Sequence, residues 1–178
     1  MRQAERKNTL IFLTGYMGAG KSTIGKKLAF RLKYRFTDTD KALEKRYQLG
    51  MSDIFTQHGE AAFRKEEEAL IERLATKEKY VVSAGGGTLT RLETFYTAQR
   101  AGLLIYLYAP VETLYERVIF SQKDRPLVNQ PNSKEIFLER FAKREPYYIR
   151  SDVKIETNDR PSDEVVEDIL AWLKQQQS

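Results

Sequence analysis

The sequence predicts a three-layer α/β fold: a five-stranded parallel sheet between helices. Three observations lead there. Short apolar runs alternate with helical patterns along the chain, the mark of strands joined by right-handed helical crossovers. The runs are short and largely apolar, as expected of strands covered on both faces. Two of them, Leu10–Leu13 and Tyr80–Val82, lead into glycine-rich turns, Gly15–Gly20 and Gly85–Gly87. Two such strand ends in one small chain suggest a nucleotide site facing a second ligand site.

The elements follow in order. The first strand, Leu10–Leu13, precedes a helix over Ser22–Lys33, with Ile24, Leu28 and Leu32 at four-residue spacing. A second strand at Tyr34–Phe36 is followed by an insertion, Thr39–Glu60, of extra short helices. The next helix, Ala61–Thr76, carries Ala62, Ala69 and Leu70 opposite a heavily charged face. Further strands are expected at Tyr80–Val82, Leu103–Tyr108 and Val153–Ile155, and further helices at Val111–Phe120, Ser133–Arg150 and Asp163–Lys174. Ser162 reads as an N-cap, with Asp163 and Glu164 in the first turn. Ser121–Asn132 is polar and contains two prolines; beside a phosphate site it reads as a lid, starting near residue 119.

Composition narrows the functions. A chain of 178 residues fits one domain, and 41% hydrophobic residues can bury a core. The absence of cysteine excludes disulfides and thiolate metal sites. The longest apolar run, Ala101–Val111, is too short to span a membrane. Met1–Asn8 is polar and basic, and the apolar run after it is too brief for a secretory signal, so a cytoplasmic protein is expected. The net charge of +5 suits a solvated surface or a site for small anions. Nucleic acid is not expected as a partner, since aromatic and basic residues do not alternate as in RNA-binding signatures. Monomer is the default expectation.

The first glycine-rich turn carries the sharpest signal. Gly15-Tyr-Met-Gly18-Ala19-Gly20-Lys21-Ser22-Thr23 fits G-x-x-x-x-G-K-[ST] in the right context, strand before and helix after. Its backbone N–H groups suit a phosphate, Lys21 would reach the outer phosphates, and the Ser22 hydroxyl would ligate Mg²⁺. Asp38 and Asp40 end the second strand as Asp-Thr-Asp; two apart on an extended segment, they point the same way. One carboxylate could hold a Mg²⁺-bound water and the other accept a proton from a hydroxyl. The competing reading makes Asp40 a helix N-cap. Arg64 and Glu67 share a helix face, and Glu67 can brace the guanidinium for a carboxylate ligand. The competing reading is an exposed ion pair of little energetic weight. Arg125, in the lid, could close onto a transferring phosphoryl group or lie idle on a loop. Arg144 precedes Glu-Pro-Tyr-Tyr and reads by itself as a solvated residue. His58, the only histidine, has no metal-binding partner in any motif.

Taken together, these residues resemble the shikimate kinases. The stretch Arg64-x-x-Glu67, Ile71, then Val81-Val82-Ser83-Ala84-Gly85-Gly86-Gly87-x-Leu89 follows that family's order and spacing. Gly15–Gly25, Asp38-Thr-Asp40, Ile54-Phe55, Gly59-Glu60, Phe63-Arg64, Arg125-Pro-Leu and Arg144-x-Pro-Tyr-Tyr also fall where the family has them. The resemblance runs from about Leu10 to Pro161. It implies a P-loop kinase fold with a substrate-binding region near 39–67 and a lid near 119–132. It implies transfer of the γ-phosphoryl group of ATP to the 3-hydroxyl of shikimate, a step of aromatic amino-acid (chorismate) biosynthesis. By the match Asp40 contacts that hydroxyl, and Arg64 and Arg144 hold the substrate carboxylate. Gly85, Gly86 and Gly87 face the ring substituents, Asp38 orders the Mg²⁺ shell, and Arg160 contacts adenine. Val128 departs from the usual second leucine after Arg-Pro-Leu.

Two other readings were open. A sugar-acid kinase such as gluconate kinase would also need a P-loop and a carboxylate clamp, though not the triple glycine. A GTPase-like switch would carry Asp-x-x-Gly and Asn-Lys-x-Asp, and neither occurs.

Overall fold

The computed structural model describes residues 7–121 and 133–176. β1 (Lys7–Thr14) alternates its apolar side chains between two faces, and each face nucleates one half of the core. After it come α1 (Lys21–Leu32), β2 (Arg35–Asp38), α2 (Thr39–Tyr47), α3 (Met51–Ala75) and β3 (Tyr80–Ser83). α4 (Leu92–Ala101), β4 (Gly102–Tyr108), α5 (Val111–Phe120), α6 (Ser133–Tyr148), β5 (Val153–Glu156) and α7 (Ser162–Gln175) complete the described elements. The strands form one five-stranded sheet in the order β2-β3-β1-β4-β5, and every pairing is parallel. On one face Ile11 and Leu13 pack with Leu28, Leu114, Phe137 and Ile169. On the other, Leu10 and Phe12 pack with Leu43, Ile54, Phe63 and Phe95. The three-layer α/β architecture is the one expected.

The register decides where a ligand can sit. Leu13 pairs with Ser83, and Ser83 pairs with Asp38. The carboxyl ends of β1, β2 and β3 therefore lie side by side. β1 is the central strand, where the order reverses, and ligands of open parallel sheets bind at that switch point. Both glycine-rich turns leave the sheet there.

Some expectations need correcting. The sequence predicts no helix between the third and fourth strands, yet α4 is there, with Thr94, Phe95 and Ala98 buried; it is short, and its threonines and aromatic residues give a weak helical signal. In α3 the inward face is Phe63, Glu67, Leu70, Ile71 and Leu74, whereas Ala62 is exposed and Ala69 only partly covered. A carboxylate thus sits on the core face, which an apolar pattern does not reveal. Gly59, at φ 76°, breaks α3 where the expected short helices give way to the longer one. Ser162 is the first residue of α7 and not its cap. The preceding residue, Pro161, has extended backbone, and its carbonyl accepts the N–H groups of Glu164 and Val165. Residues 119 and 120, expected in the lid, belong to the last turn of α5. The rest of the lid, with Arg125 and Val128, lies outside the described residues apart from Ser121. Among the described residues no helix is long and apolar enough to cross a membrane.

Candidate active site

The turn after β1 is shaped by glycines that no other residue replaces cheaply. Gly18 and Gly20 have φ of 86° and 84°, the left-handed region. A Cβ on Gly18 would also fall 2.7 Å from the carbonyl oxygen of Leu114. Lys21 opens α1, and its Nζ donates to the carbonyls of Gly15 and Tyr16 at 2.7 and 2.9 Å. The turn and the α1 N-terminus form a positively polarised cradle. Beside it a cavity is lined by Gly18, Ala19, Gly20, Thr23, Arg117 and Arg160. The Arg117 guanidinium donates to Gly18 O at 3.4 Å and to Thr157 O at 2.8 Å, tying α5 to the glycine turn and to the end of β5. Arg160 donates to Asp168 on α7 at 2.6 Å.

The two aspartates differ in role. β2 ends at Asp38, so Asp40 is not on an extended segment; it lies in the first turn of α2. The cap is Asp38, whose Oδ1 accepts the N–H of Lys41 at 3.2 Å. Its Oδ2 accepts the Ser22 hydroxyl. Asp40 is thereby released from capping and turned toward the triple-glycine turn. A Cβ on Gly85 would lie only 2.0 Å from its Oδ1. Burial raises the Asp40 pKa from 3.8 to about 6, with further upward pushes from Asp38, Glu67 and Glu44 and an opposing pull from Lys21.

The second ligand site is assembled from distant segments. Arg64 on α3 donates from Nη1 to Oε2 of Glu67 at 2.5 Å and from Nε and Nη2 to Glu60 at 3.3 and 3.2 Å. Glu67 is 3% exposed, so this is not the exposed pair of the competing reading. Arg144 on α6 lies over the Tyr16 ring at 5.6 Å. The two guanidinium groups converge above the triple glycine: a Cβ on Gly87 would be 3.3 Å from Nη1 of Arg64 and 3.4 Å from Nη2 of Arg144. Tyr148, 1% exposed, donates its hydroxyl to Gly86 O. Burial pushes its phenol up, which keeps it a donor. Two planar cationic forks, a carboxylate and glycine backbone thus meet at the triple-glycine turn, an arrangement suited to a small anionic polyol.

Comparison with known proteins identifies the family. The family model for shikimate kinase matches residues 17–174. A shikimate kinase of Chlorobium chlorochromatii is 39% identical over 173 residues, covering 93% of this chain and 90% of the relative. The chain belongs to the shikimate kinase family. The solved structure of shikimate kinase from Acinetobacter baumannii in complex with shikimate superposes with a TM-score of 0.87 at 31% identity, covering 94% of each chain. A gluconokinase from Sinorhizobium meliloti, at 20% identity and a TM-score of 0.62 over 96% of this chain and 94% of its own, shares the fold alone.

Shikimate kinases use ATP and Mg²⁺, and the residues present fit both. The cradle of Gly18, Ala19, Gly20 and Lys21 offers backbone donors and one cation. Ser22 and Asp38, in contact, offer hard oxygen ligands of the kind Mg²⁺ takes in small number alongside phosphates and water. Among the described residues no group of three or more acidic or histidine side chains could cage a metal alone. His58 is exposed on α3, its ring 4.8 Å from that of Tyr47. Sequence reasoning gave no role to Arg117, Tyr148, Thr39 or Thr88. The signals were slight: Thr39 stands between the aspartates and Thr88 directly follows the triple glycine, while nothing local marks Arg117.

Proposed function

We propose that the residues at the carboxyl ends of β1, β2 and β3 transfer the γ-phosphoryl group of ATP to the 3-hydroxyl of shikimate, giving shikimate 3-phosphate and ADP. The observation that carries this reading is the convergence of Arg64 and Arg144 above Gly87, with Asp40 packed on Gly85 next to the Lys21 turn. Arg64 and Arg144 hold the substrate carboxylate, Glu67 braces Arg64, and Gly86 and Gly87 present backbone to the ring hydroxyls. That grip leaves a ring hydroxyl for Asp40.

Asp40 accepts the proton of that hydroxyl. With a pKa near 6 it is ionised at neutral pH, yet basic enough to take a share of the proton as the new O–P bond forms. ATP supplies the phosphoryl group, and Mg²⁺ offsets its charge. Gly18, Ala19, Gly20, Lys21, Ser22 and Thr23 bind the phosphates; Ser22 and Asp38 hold the metal and its water shell; Arg160 borders the adenine. Arg125 of the lid region stabilises charge on the moving group.

A substrate panel tests the reading. ADP production from ATP, measured with shikimate, gluconate and nucleoside monophosphates, is expected to rise with shikimate alone. A preference for gluconate would overturn the substrate assignment, because the fold also serves a gluconokinase.

A further inference from the structure

Beneath the clamp runs a chain of buried hydroxyls that touches neither arginine. The Gly85 N–H donates to Thr39 Oγ1 at 2.8 Å. The hydroxyls of Thr39 and Thr88 are 3.5 Å apart. Thr88 Oγ1 donates to Oε1 of Glu67 at 2.7 Å, and the other oxygen of Glu67 receives Arg64. Thr39, Thr88 and Glu67 are 0%, 1% and 3% exposed, so water does not substitute for these bonds. A hydroxyl has one proton. Thr88 commits its own to the carboxylate, and only an acceptor remains for Thr39. Thr39 in turn accepts from Gly85, and its hydroxyl lies at the outer edge of bonding distance from Thr88. The two firm bonds, Gly85 N–H to Thr39 and Thr88 to Glu67, both run in the direction from the triple-glycine turn to Glu67.

Thr88 is held in place by its own backbone. Its N–H donates to Gly85 O at 3.0 Å, and its carbonyl accepts the Thr94 hydroxyl. It is a fixed point to which a mobile group is fastened. The terminal torsion of a glutamate is broad and roughly two-fold, so a bond to each oxygen is needed to set the plane of the Glu67 carboxylate. Arg64 supplies one and Thr88 the other.

We propose that Thr88 is a positioning residue for the substrate-carboxylate clamp. Its hydroxyl fixes the carboxylate of Glu67, and through it the direction of the Arg64 fork. Thr39, bonded directly to the Gly85 N–H, keeps the segment bearing Asp38 and Asp40 in register with the Gly85–Gly87 turn beside it. The proposal rests on the reading of Arg64 as part of the clamp.

Thr88→Val keeps the shape and removes the hydroxyl, leaving Oε1 of Glu67 buried without a partner. The expected result is a KM for shikimate raised about tenfold, with ATP affinity in the absence of shikimate within about twofold of wild type. Thr88→Ser restores the hydroxyl and is expected to return the KM to within about twofold of wild type. A merely structural role predicts a lower melting temperature with no selective loss for shikimate. The proposal is overturned if folded Thr88→Val keeps a normal KM for shikimate, if both substrates suffer equally, or if the serine variant is as impaired as the valine variant. Thr88→Ala, smaller still, stands in if the valine variant does not fold; failure of both to fold assigns the hydroxyl to stability and overturns the proposal as well. Arg64→Lys, measured in parallel, separates the two readings. If it leaves shikimate affinity unchanged, the clamp itself fails; if it weakens shikimate while Thr88→Val does not, only the positioning role fails.

Discussion

The glycine-rich turns after β1 and β3 lie side by side but use glycine for different ends. After β1, Gly18 and Gly20 adopt left-handed backbone so that successive N–H groups can face an anion. The turn is fastened locally, by Lys21 reaching back to the carbonyls of Gly15 and Tyr16. After β3, none of the three glycines has positive φ. They are glycines because other groups press on them: Asp40 against Gly85, and the two guanidinium groups above Gly87. That turn is fastened by distant side chains, with Thr39 bonded to Gly85 N–H and Tyr148 to Gly86 O. The phosphate half is built mainly on one strand, loop and helix, and is tied to α5 by Arg117 and to β2 by Asp38. The half proposed to hold shikimate exists only when α2, α3, α6 and β3 have docked. Damage to one half should therefore register on one ligand, and only groups between the halves should affect chemistry without favouring either.

Asp40 lies between the halves, and Lys21, at the edge of the phosphate half, acts electrostatically on it; the largest effects are expected at these two residues. Asp40→Asn keeps the shape and loses both charge and basicity; turnover should fall by roughly 10²–10⁴ with both ligands still bound. Lys21→Ala should lower turnover by roughly 10²–10³ in a protein that remains folded by circular dichroism. Near-normal turnover in either variant would move the chemistry elsewhere.

The next effect separates the halves directly. Lysine in place of arginine keeps the charge and loses the planar fork. Arg64→Lys and Arg144→Lys should each weaken shikimate binding by about ten- to a hundredfold, the cost of a lost charge-assisted hydrogen bond. Calorimetric titration with ATP alone should be unaffected. Equal weakening of both ligands would show that the halves are not independent.

How much of this was legible in the sequence follows the same division. The turn from Gly15 to Thr23 is contiguous, and spacing alone placed Gly18, Ala19, Gly20, Lys21 and Ser22. The inner strands β1, β3 and β4 are legible because both faces of each are apolar, whereas the edge strands β2 and β5 carry Arg35, Lys154 and Glu156 and show only a few apolar residues. The other half was read through resemblance, since local rules misjudged its parts. Arg64-Lys65-Glu66-Glu67-Glu68 is a charged run, and which carboxylate turns inward is decided by how α3 docks on the sheet. Spacing put Asp38 and Asp40 on one extended face, but α2 begins between them and gives them different tasks. The Thr39 and Thr88 hydroxyls are 49 residues apart, a separation that no local pattern bridges.

The pH profile gives a smaller effect with a definite sign. Burial first, and then the negative charge of Asp38, hold the Asp40 pKa near 6, above its usual 3.8. If ionised Asp40 is the base, kcat/KM should fall about tenfold for each pH unit below 6, and Asp40→Asn should lose that dependence. Stability runs the other way. A raised carboxyl pKa adds stability that is fully present below the unfolded value and is lost as pH rises through the folded value. At pH 8 Asp40→Asn should thus melt a few degrees above wild type. A variant that is both inactive and more stable would mark Asp40 as a group kept for chemistry against the interest of the fold.

The smallest effect is expected at the outer edge of the phosphate half. Arg160 borders the cavity beside Gly18 and Gly20, where a guanidinium could rest against a base. Its charge is already engaged, with Nη1 2.6 Å from Asp168 and Nε 3.9 Å from Glu164. What it can offer a nucleotide is its flat face at the mouth of the cavity. Arg117, by contrast, is bonded to the glycine turn itself. Rim contacts contribute little individually, so Arg160→Ala should weaken ATP by less than about fivefold and leave shikimate unchanged. Arg117→Ala should weaken ATP more, because it also frees Gly18 O and the Thr157 end of β5. Titration of both variants with ATP tests the order. If Arg160→Ala proves the more damaging, the cavity edge carries the base and the bond to Gly18 is incidental.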